Sequence, residues 1–451
     1  MSSPISDSLL SITDISDRLD GNDLCAAAVG GGVLVFARSD GVVVTYDPVN
    51  MISLSWEVVK RSHSRESSFS IKHIFVDPTG RHVLVSTSPP HLFYIYNPSH
   101  TETARKTSPL KFKTNNNFIS SVGWSYDDVT HKTLTSNILL GTNDGKLFEM
   151  SIEGSAVKCK ELLYLFDDKP CISGITMRFF DANGHVSLFV VVATLTRLYE
   201  FAGFQNQSRT NPSFSSIFKD SKGSGPRFNE LPYSHDVIKS ELFIKRPITD
   251  EPNQPWKLAW ITSVGMFIAS LSLLTPTSDS MVVDNQLIPF PNEEVPNSVI
   301  ITDHHLLFCY SQSVSALSLV SEKIIATFTV DTLGNNLDFI VGFAGVCPEG
   351  IFIYGPRRIY QANFSQEDRD VWRWYCDKKE FQTALEYTLT EDQKDHVMVL
   401  EGQNFFELGQ YDKAARRWAR TTKPIEEVSV LFIESASQDA LLEFLVERLS
   451  F

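Results

Sequence analysis

GTNDGKLFEMSI, the stretch from Gly141 to Ile152, shows how this chain folds. Two β-prone runs flank a short polar tip, which is the pattern of a β-hairpin. Six further stretches share that pattern: RSDGVVVTYD (Arg38 to Asp47), STSPPHLFYIYN (Ser86 to Asn97), ATLTRLYEFA (Ala193 to Ala202), TSVGMFIASLS (Thr262 to Ser272), SQSVSALSLV (Ser311 to Val320) and YGPRRIYQANF (Tyr354 to Phe364). Seven β-hairpins are therefore predicted.

The spacing of these hairpins indicates a repeat. Their tips lie at Asp40, Pro89, Asn143, Leu195, Val264, Gln312 and Arg357, so successive gaps are 49, 54, 52, 69, 48 and 45 residues. Most gaps match the length of one four-stranded propeller blade. Because a single small sheet cannot bury both faces, whereas seven around an axis can, we predict a seven-bladed, WD40-like β-propeller over residues 1–363.

The chain must also close this ring and bury its most apolar segment. Closure would use residues before Ala26 as a strand of the last blade, although no local pattern identifies that strand.

The segment from Leu258 to Thr275 has no charge over eighteen residues, which is the lower limit for a membrane helix. Because serines and a glycine interrupt it and it keeps the phase of the hairpins, we predict two buried strands and no transmembrane segment.

Composition excludes several classes of function. The chain has 451 residues and a formal net charge of −14, so its surface is not built to neutralise nucleic-acid phosphates. Its six cysteines are scattered without C-x-x-C spacing, which argues against zinc and thioredoxin-like chemistry. The N-terminus carries acidic residues and lacks an apolar core, so it does not resemble a secretory signal. A cytoplasmic location is predicted.

An insertion explains the gap of 69 residues. Residues Gly203 to Asp236 are rich in Ser, Asn, Gly and Pro and should form a loop on one face of the propeller. The loop carries aromatic residues, including Phe214 and Phe218. Two interpretations are open: these rings pin the loop to its own blade, or they form a short motif that binds a partner.

After Phe364 the apolar residues recur at helical intervals, which predicts the first helices of an α-solenoid over residues 364–451. Six helices are expected: one opening at Ser365 with Asp368 as a capping-box partner, one carrying Phe381 to Leu389, one opened by Thr390 and Gln393 and ended at Gly409, one from Tyr411, one starting at Pro424, and one from Gln438 to Ser450. Two F/Y-x-x-A signatures, at Phe381 and Tyr411, lie 30 residues apart, close to the repeat of TPR-like or clathrin-repeat-like arrays.

The sixth predicted helix is apolar on two sides. Leu442, Leu445, Val446 and Leu449 form one face, and Leu441 and Phe444 form a second. A helix of this kind expects neighbours on both sides, and solenoids need a polar capping repeat to stay soluble. The pattern predicts that this chain is the N-terminal part of a longer, truncated protein.

The sequence offers little catalytic chemistry. It has no P-loop, no G-x-S-x-G elbow and no H-E-x-x-H motif. Asp303-His304-His305 is predicted to be a turn or strand end, because adjacent strand residues point to opposite faces and cannot easily bind one ion. We therefore predict no catalytic residues, no metal site and no cofactor. For Trp372, Trp374 and Tyr375 on the first helix, packing at the propeller and solenoid junction is favoured over peptide binding.

Three segments resemble a known family. GTNDGKLFEMSI at Gly141, DVWRWYCDKKEFQTALEYT at Asp370 and ALLEFLVERL at Ala440 resemble segments of the deep-orange class of vacuolar protein sorting proteins, and the order of domains is similar throughout. Members of that class are core subunits of the HOPS and CORVET tethering complexes. The resemblance implies a zinc-binding RING domain beyond residue 451, so ligase activity is not carried over to this chain.

The resemblance also implies partners and location. It implies contacts with other class C vacuolar protein sorting subunits and, indirectly, with Rab GTPases and SNAREs. It further implies peripheral association with late endosome, lysosome or vacuole membranes. A structural subunit of a vesicle coat or a nuclear-pore-like assembly is the alternative, because such proteins also join a propeller to a solenoid. An enzyme that uses the central funnel is a third hypothesis, but it lacks a constellation of carboxylates or histidines in the sequence.

Overall fold

The protein's structure, a computed structural model, forms two compact units. The first comprises Met1–Thr302, Leu306–Ala316 and Ile324–Phe364, and the second comprises Asp303–His305, Leu317–Lys323 and Ser365–Phe451. The residues described are 10–16, 23–58, 70–97, 110–113, 117–127, 132–153, 156–164, 170–182, 185–205, 214, 217–218, 226–232, 239–246, 255–272, 280–291, 294–329, 339–364 and 367–450.

The described strands form seven four-stranded sheets, almost entirely within the first unit, and we number them as blades 1–7. Blades 1–3 contain β2 (Leu24–Gly30), β3 (Val33–Arg38), β4 (Val42–Asp47) and β5 (Ile52–Glu57); β6 (Ser70–Val76), β7 (His82–Ser88), β8 (His91–Tyr96) and β9 (Leu110–Lys113); and β10 (Ile119–Asp127), β11 (Lys132–Thr142), β12 (Lys146–Glu153) and β13 (Ala156–Tyr164). Blades 4 and 5 contain β14 (Gly174–Ala182), β15 (His185–Ala193), β16 (Arg197–Gln205) and β17 (Arg227–Glu230); and β18 (Glu241–Lys245), β19 (Trp256–Ile261), β20 (Met266–Leu271) and β21 (Val282–Ile288). Blades 6 and 7 contain β22 (Ser298–Ile301), β23 (His305–Cys309), β24 (Ser313–Ser318) and β25 (Ile324–Thr329); and β26 (Gly342–Cys347), β27 (Gly350–Tyr354), β28 (Ile359–Phe364) and β1 (Leu10–Asp14).

All seven predicted hairpins are confirmed. In every blade the predicted tip lies between the second and third strands; Asn143, for example, lies between β11 and β12, where Gly141 pairs with Leu147. The uncharged segment around Leu258 forms β19 and β20, which pair from Trp256 with Leu271 to Ile261 with Met266. The prediction of two buried strands there was correct.

Buried threonines stabilise several of these tips. Thr142, Thr194 and Thr262 each stand directly at the end of a second strand and are at most 1% exposed. The hydroxyl of Thr142 donates to the Asp144 carboxylate at 2.6 Å and accepts from the backbone N–H of Lys146 at 2.9 Å. The side chain therefore satisfies polar groups of the turn that strand pairing leaves unpaired.

Replacing Thr142 with valine should lower the free energy of unfolding by about 1–3 kcal/mol, because buried turn groups lose a hydrogen-bond partner. Thr142→Ser keeps the hydroxyl and should cost less. Urea denaturation of the two variants measures the difference. Equal stability of Thr142→Val and the unchanged chain would show that the hydroxyl contributes nothing to the turn.

The blades close into a ring. The first strand of each blade contacts the first strands of both neighbours, through β2, β6, β10, β14, β18, β22 and β26 and back to β2. The last blade takes its fourth strand from the start of the chain: β1 pairs antiparallel with β28, with Leu10 opposite Phe364. The predicted use of residues before Ala26 for closure is therefore confirmed.

Apolar side chains fill the seams between neighbouring blades. Trp56 of blade 1 and Phe93 of blade 2 belong to one such cluster, and the ring of Trp56 is 1% exposed. Inner strands approach so closely that a Cβ atom on Gly174 would lie 2.3 Å from the Cβ of Leu242 in the next blade. This tight contact explains why a glycine starts β14.

The second unit is helical. Its helices are α1 (Val371–Asp377), α2 (Phe381–Glu386), α3 (Glu391–Glu407), α4 (Tyr411–Ala419), α5 (Ile425–Glu434) and α6 (Gln438–Ser450). Thr390 and Gln393 form the predicted capping box at the start of α3, and Gly409 follows its end with a φ of 71°. Two predicted helix boundaries were wrong. Helix α1 begins at Val371, so Asp368 does not open it, and Ser365 lies outside the described residues; Leu389 lies beyond the end of α2 and is 62% exposed.

Candidate functional site

Phe214 and Phe218 lie in the core of the propeller. Their rings are 0% and 1% exposed, and Phe218 meets Phe201 edge to face with ring centroids 4.8 Å apart. Both belong to the apolar cluster that includes Met177 and Val190 of blade 4. This burial contradicts the assignment of these two side chains as a partner-binding motif, because fully buried rings have no surface for a partner. The two rings pack against their own blade instead.

Trp372, Trp374 and Tyr375 have three different environments within the second unit. Trp372 is 5% exposed and packs with the apolar side chains of α1, α2 and α3. Tyr375 stacks on Tyr387, with ring centroids 5.5 Å apart. Trp374 meets the imidazole of His305 edge to face at 5.5 Å. Trp372 is a buried core side chain of the helices, and Tyr375 packs against the same cluster while remaining partly exposed.

The Asp303-His304-His305 segment is a turn that leads into β23, as predicted. Glu367 accepts a hydrogen bond from the backbone N–H of His304 at 2.6 Å and lies 3.3 Å from Nδ1 of His305. The ring of His304 points elsewhere and meets Tyr387 at 5.0 Å. Across the described residues, no group of three or more His, Cys, Asp or Glu side chains is arranged to hold a metal ion.

A titratable cluster that the sequence did not reveal lies where blades 5, 6 and 7 meet. Glu241 begins β18, and Phe243 on the same side of that strand packs with Cys309 and other apolar residues of blades 6 and 7. Burial raises the pKa of Glu241 to about 7, and Lys239 offsets this in part. Burial also raises the pKa of Cys309 to about 12. A fully buried thiol that stays protonated at neutral pH is a poor nucleophile, so the cluster is not suited to thiol catalysis.

Glu241 should make the stability of the propeller depend on pH. The carboxyl has a pKa of about 7 in the folded chain and an ordinary value of 4.5, so the folded state binds more protons between these values. The free energy of unfolding therefore falls as pH rises through this window. Because Glu241→Gln cannot ionise, it should be about 1–3 kcal/mol more stable than the unchanged chain at pH 8 and should keep only about a quarter of that advantage at pH 5.

Urea denaturation at both pH values measures this effect. Glu57→Gln, at an exposed position of β5, is the matched control. A Glu241→Gln variant whose stability relative to the unchanged chain is the same at pH 5 and pH 8 would rule out this cause.

The last two helices expose an apolar stripe. Leu442, Val446 and Leu449 of α6 are 63%, 59% and 82% exposed, whereas Phe444 on the opposite side is fully buried. Ile433 of α5 is 65% exposed. The predicted face that carries Leu442, Val446 and Leu449 is therefore largely exposed, whereas Leu445, predicted on the same face, is partly buried against the helical core. None of the described helices is long and apolar enough to span a bilayer.

Comparison with known proteins matches each unit. The model of the Pep3/Vps18/deep orange β-propeller domain matches residues 10–363, and that of the first half of the VPS18 α-solenoid domain matches residues 364–451. Similar relatives include vacuolar sorting protein 18 of Arabidopsis thaliana, at 27% identity over 94% of this chain and 43% of that protein. The vacuolar protein sorting-associated protein 18 homolog of Danio rerio is 25% identical over 85% of this chain and 39% of that protein.

A third relative, vacuolar membrane protein pep3 of Schizosaccharomyces pombe, is 23% identical over 83% of this chain and 40% of that protein. The chain thus spans about two fifths of the length of the curated relatives that it matches. Family models cover both units, from the ring-closing strand β1 to the end of α6. On this basis the chain belongs to the Pep3/Vps18/deep orange family of vacuolar sorting proteins.

Proposed function

We propose that this chain is a non-enzymatic scaffold and docking subunit of an endolysosomal membrane-tethering complex of the HOPS or CORVET type. The observation that carries the proposal is the match of both units to the same family, whose named relatives are vacuolar sorting proteins. In this proposal residues 1–363 are the propeller domain and residues 364–451 are the first helices of a solenoid. Its partners are other class C subunits and, through them, Rab GTPases and SNAREs.

The architecture of each unit supports a docking role. Seven packed seams hold the blades in one arrangement, and interlocking aromatic side chains hold the helices. Rigid surfaces lose little conformational entropy when a partner binds, so they are well suited to hold other proteins.

Helix α1 has a separate proposed role. Trp374 contacts His305, and Tyr375 stacks on Tyr387, whose ring meets His304. His304 directly precedes β23, and His305 begins it. We assign Trp372, Trp374 and Tyr375 to the junction between propeller and solenoid, with Trp372 acting as the anchor of the helical core.

Affinity purification tests the proposed function. The chain, tagged and expressed in cells of its own species, should co-purify with other class C vacuolar protein sorting subunits and should appear at late endosomes, lysosomes or vacuoles. A variant with Trp418→Ala, which removes a buried side chain of the helical core, should lose partners that bind the second unit. Leu408→Ala, at a 60% exposed position, is the matched control and should keep them.

Two outcomes would contradict the proposal. Recovery of the chain without any class C subunit would remove the tethering role. Recovery with coat or nuclear-pore components, together with a signal at the Golgi or the nuclear rim, would favour the alternative assembly instead.

A further inference from the structure

Blade 7 differs from the other blades in how its fourth strand arrives. In blades 1–6 the fourth strand follows the third in sequence, whereas β1 comes from the other end of the propeller domain. Thr13 of β1 and Gln361 of β28 pair in register although they are 348 residues apart. Release of β1 therefore leaves the order of all other strands unchanged. Strands at the edge of a sheet, as β1 is, can also open locally while the rest of the fold stays intact.

The contacts of β1 define what this position accepts. Leu10 is 8% exposed and packs with Ile353, Tyr360 and Ala362 in the seam, and the partly buried Ile12 packs against the same cluster. Ser11, Thr13 and Asp14 are exposed. Beyond the two apolar contacts, the guanidinium of Arg358 binds the carboxylate of Asp14. The position therefore accepts two apolar residues separated by one residue, as Leu10 and Ile12 are, and an acidic residue two positions after the second, as Asp14 is.

We propose that blade 7 is a strand-acceptor site, which β1 fills in this chain and which an extended partner segment of the form apolar-x-apolar-x-acidic fills in its place. The edge of β28 supplies backbone hydrogen bonds, the seam around Tyr360 receives the two apolar side chains, and Arg358 fixes the register. A shift by one residue turns the apolar side chains to solvent, so the site is selective for phase as well as composition.

Competition with β1 sets the conditions for binding. A strand on the same chain acts at an effective concentration of the order of millimolar, so an added segment binds weakly while β1 is intact. Weakening β1 should expose the acceptor. Leu10→Asp combined with Ile12→Asp places charges in the apolar seam and disfavours the resident strand without altering β28.

A labelled peptide with the sequence of residues 10–16 (LSITDIS) provides the probe. Fluorescence anisotropy should show that the full chain carrying both substitutions binds this peptide at least about tenfold more tightly than the unchanged chain does. A peptide of the same composition in which no two apolar residues lie two positions apart, LISTDIS, should not bind. Failure of the folded variant to bind LSITDIS, or equal binding of both peptides, would overturn the proposal.

Hydrogen exchange on the unchanged chain provides a test that does not depend on the variant. Amides of β1 should exchange together through a local opening, well before those that join β27 to β28. Exchange of β1 only at the rate of β27 would show that the strand never leaves its site and would equally overturn the proposal.

Discussion

Replacing Trp418 with alanine is expected to lower the free energy of unfolding of the helical unit by about 3–5 kcal/mol. The indole is fully buried, donates a hydrogen bond to the carbonyl of Val399 at 3.1 Å, and packs against the rings of Phe406 and Phe432 at 5.5 and 5.7 Å. A Cβ on Gly402 would lie 2.5 Å from this indole, so α3 and α4 are fitted closely around it. Alanine would leave a cavity that these helices cannot easily fill.

Denaturation followed by far-ultraviolet circular dichroism measures this loss, because helices dominate the signal of the second unit. Leu408→Ala, at an exposed position, should change stability by less than about 0.5 kcal/mol. If Trp418→Ala were as stable as this control, the packing described for α3 and α4 would be wrong.

Trp260→Ala should have an effect of similar size, about 3–5 kcal/mol, in the propeller. Trp260 of blade 5 is fully buried, and its N–H lies 3.1 Å from the carbonyl of Thr194 and 2.9 Å from the hydroxyl of Ser240. Ser240 in turn donates to the same carbonyl at 3.0 Å, so the indole belongs to a polar cluster that joins blades 4 and 5. Its loss removes apolar contacts and a hydrogen bond from one seam of a closed ring.

Urea denaturation of Trp260→Ala, Trp260→Phe and Val264→Ala separates these contributions. Phenylalanine keeps most of the apolar contact and should have an intermediate cost. Val264 is 37% exposed at the tip of the same hairpin, so its truncation should be nearly neutral. A neutral Trp260→Ala would contradict the account of the seam.

The propeller was predictable because its signals are local. Each hairpin is encoded within about a dozen residues, and a tip such as Asn143 or Val264 is recognisable from its neighbours alone. The capping box at Thr390 is local in the same way. Closure of the ring by an N-terminal strand was predicted only because propellers commonly close in this way. Nothing in the sequence near Leu10 indicates that it pairs with Phe364.

The candidate sites were less predictable, because they depend on tertiary contacts. Glu241 and Cys309 are 68 residues apart in sequence and come together only when blades 5 and 6 pack against each other. The aromatic residues of the inserted loop were ambiguous for the same reason. The sequence around a phenylalanine in a polar segment looks the same whether the ring is exposed or, like that of Phe214, fully buried. Sequence period identifies which strands and helices form, whereas only packing shows which side chains remain available to a partner.

Cross-linking mass spectrometry on the chain purified from cells tests the central claim most directly, since it reports both the ring and its partners. The account predicts intrachain cross-links between residues near β1 and residues near β28, together with cross-links from this chain to other class C vacuolar protein sorting subunits. Absence of links between the two ends of the propeller, or links to coat or nuclear-pore proteins in place of class C subunits, would contradict it.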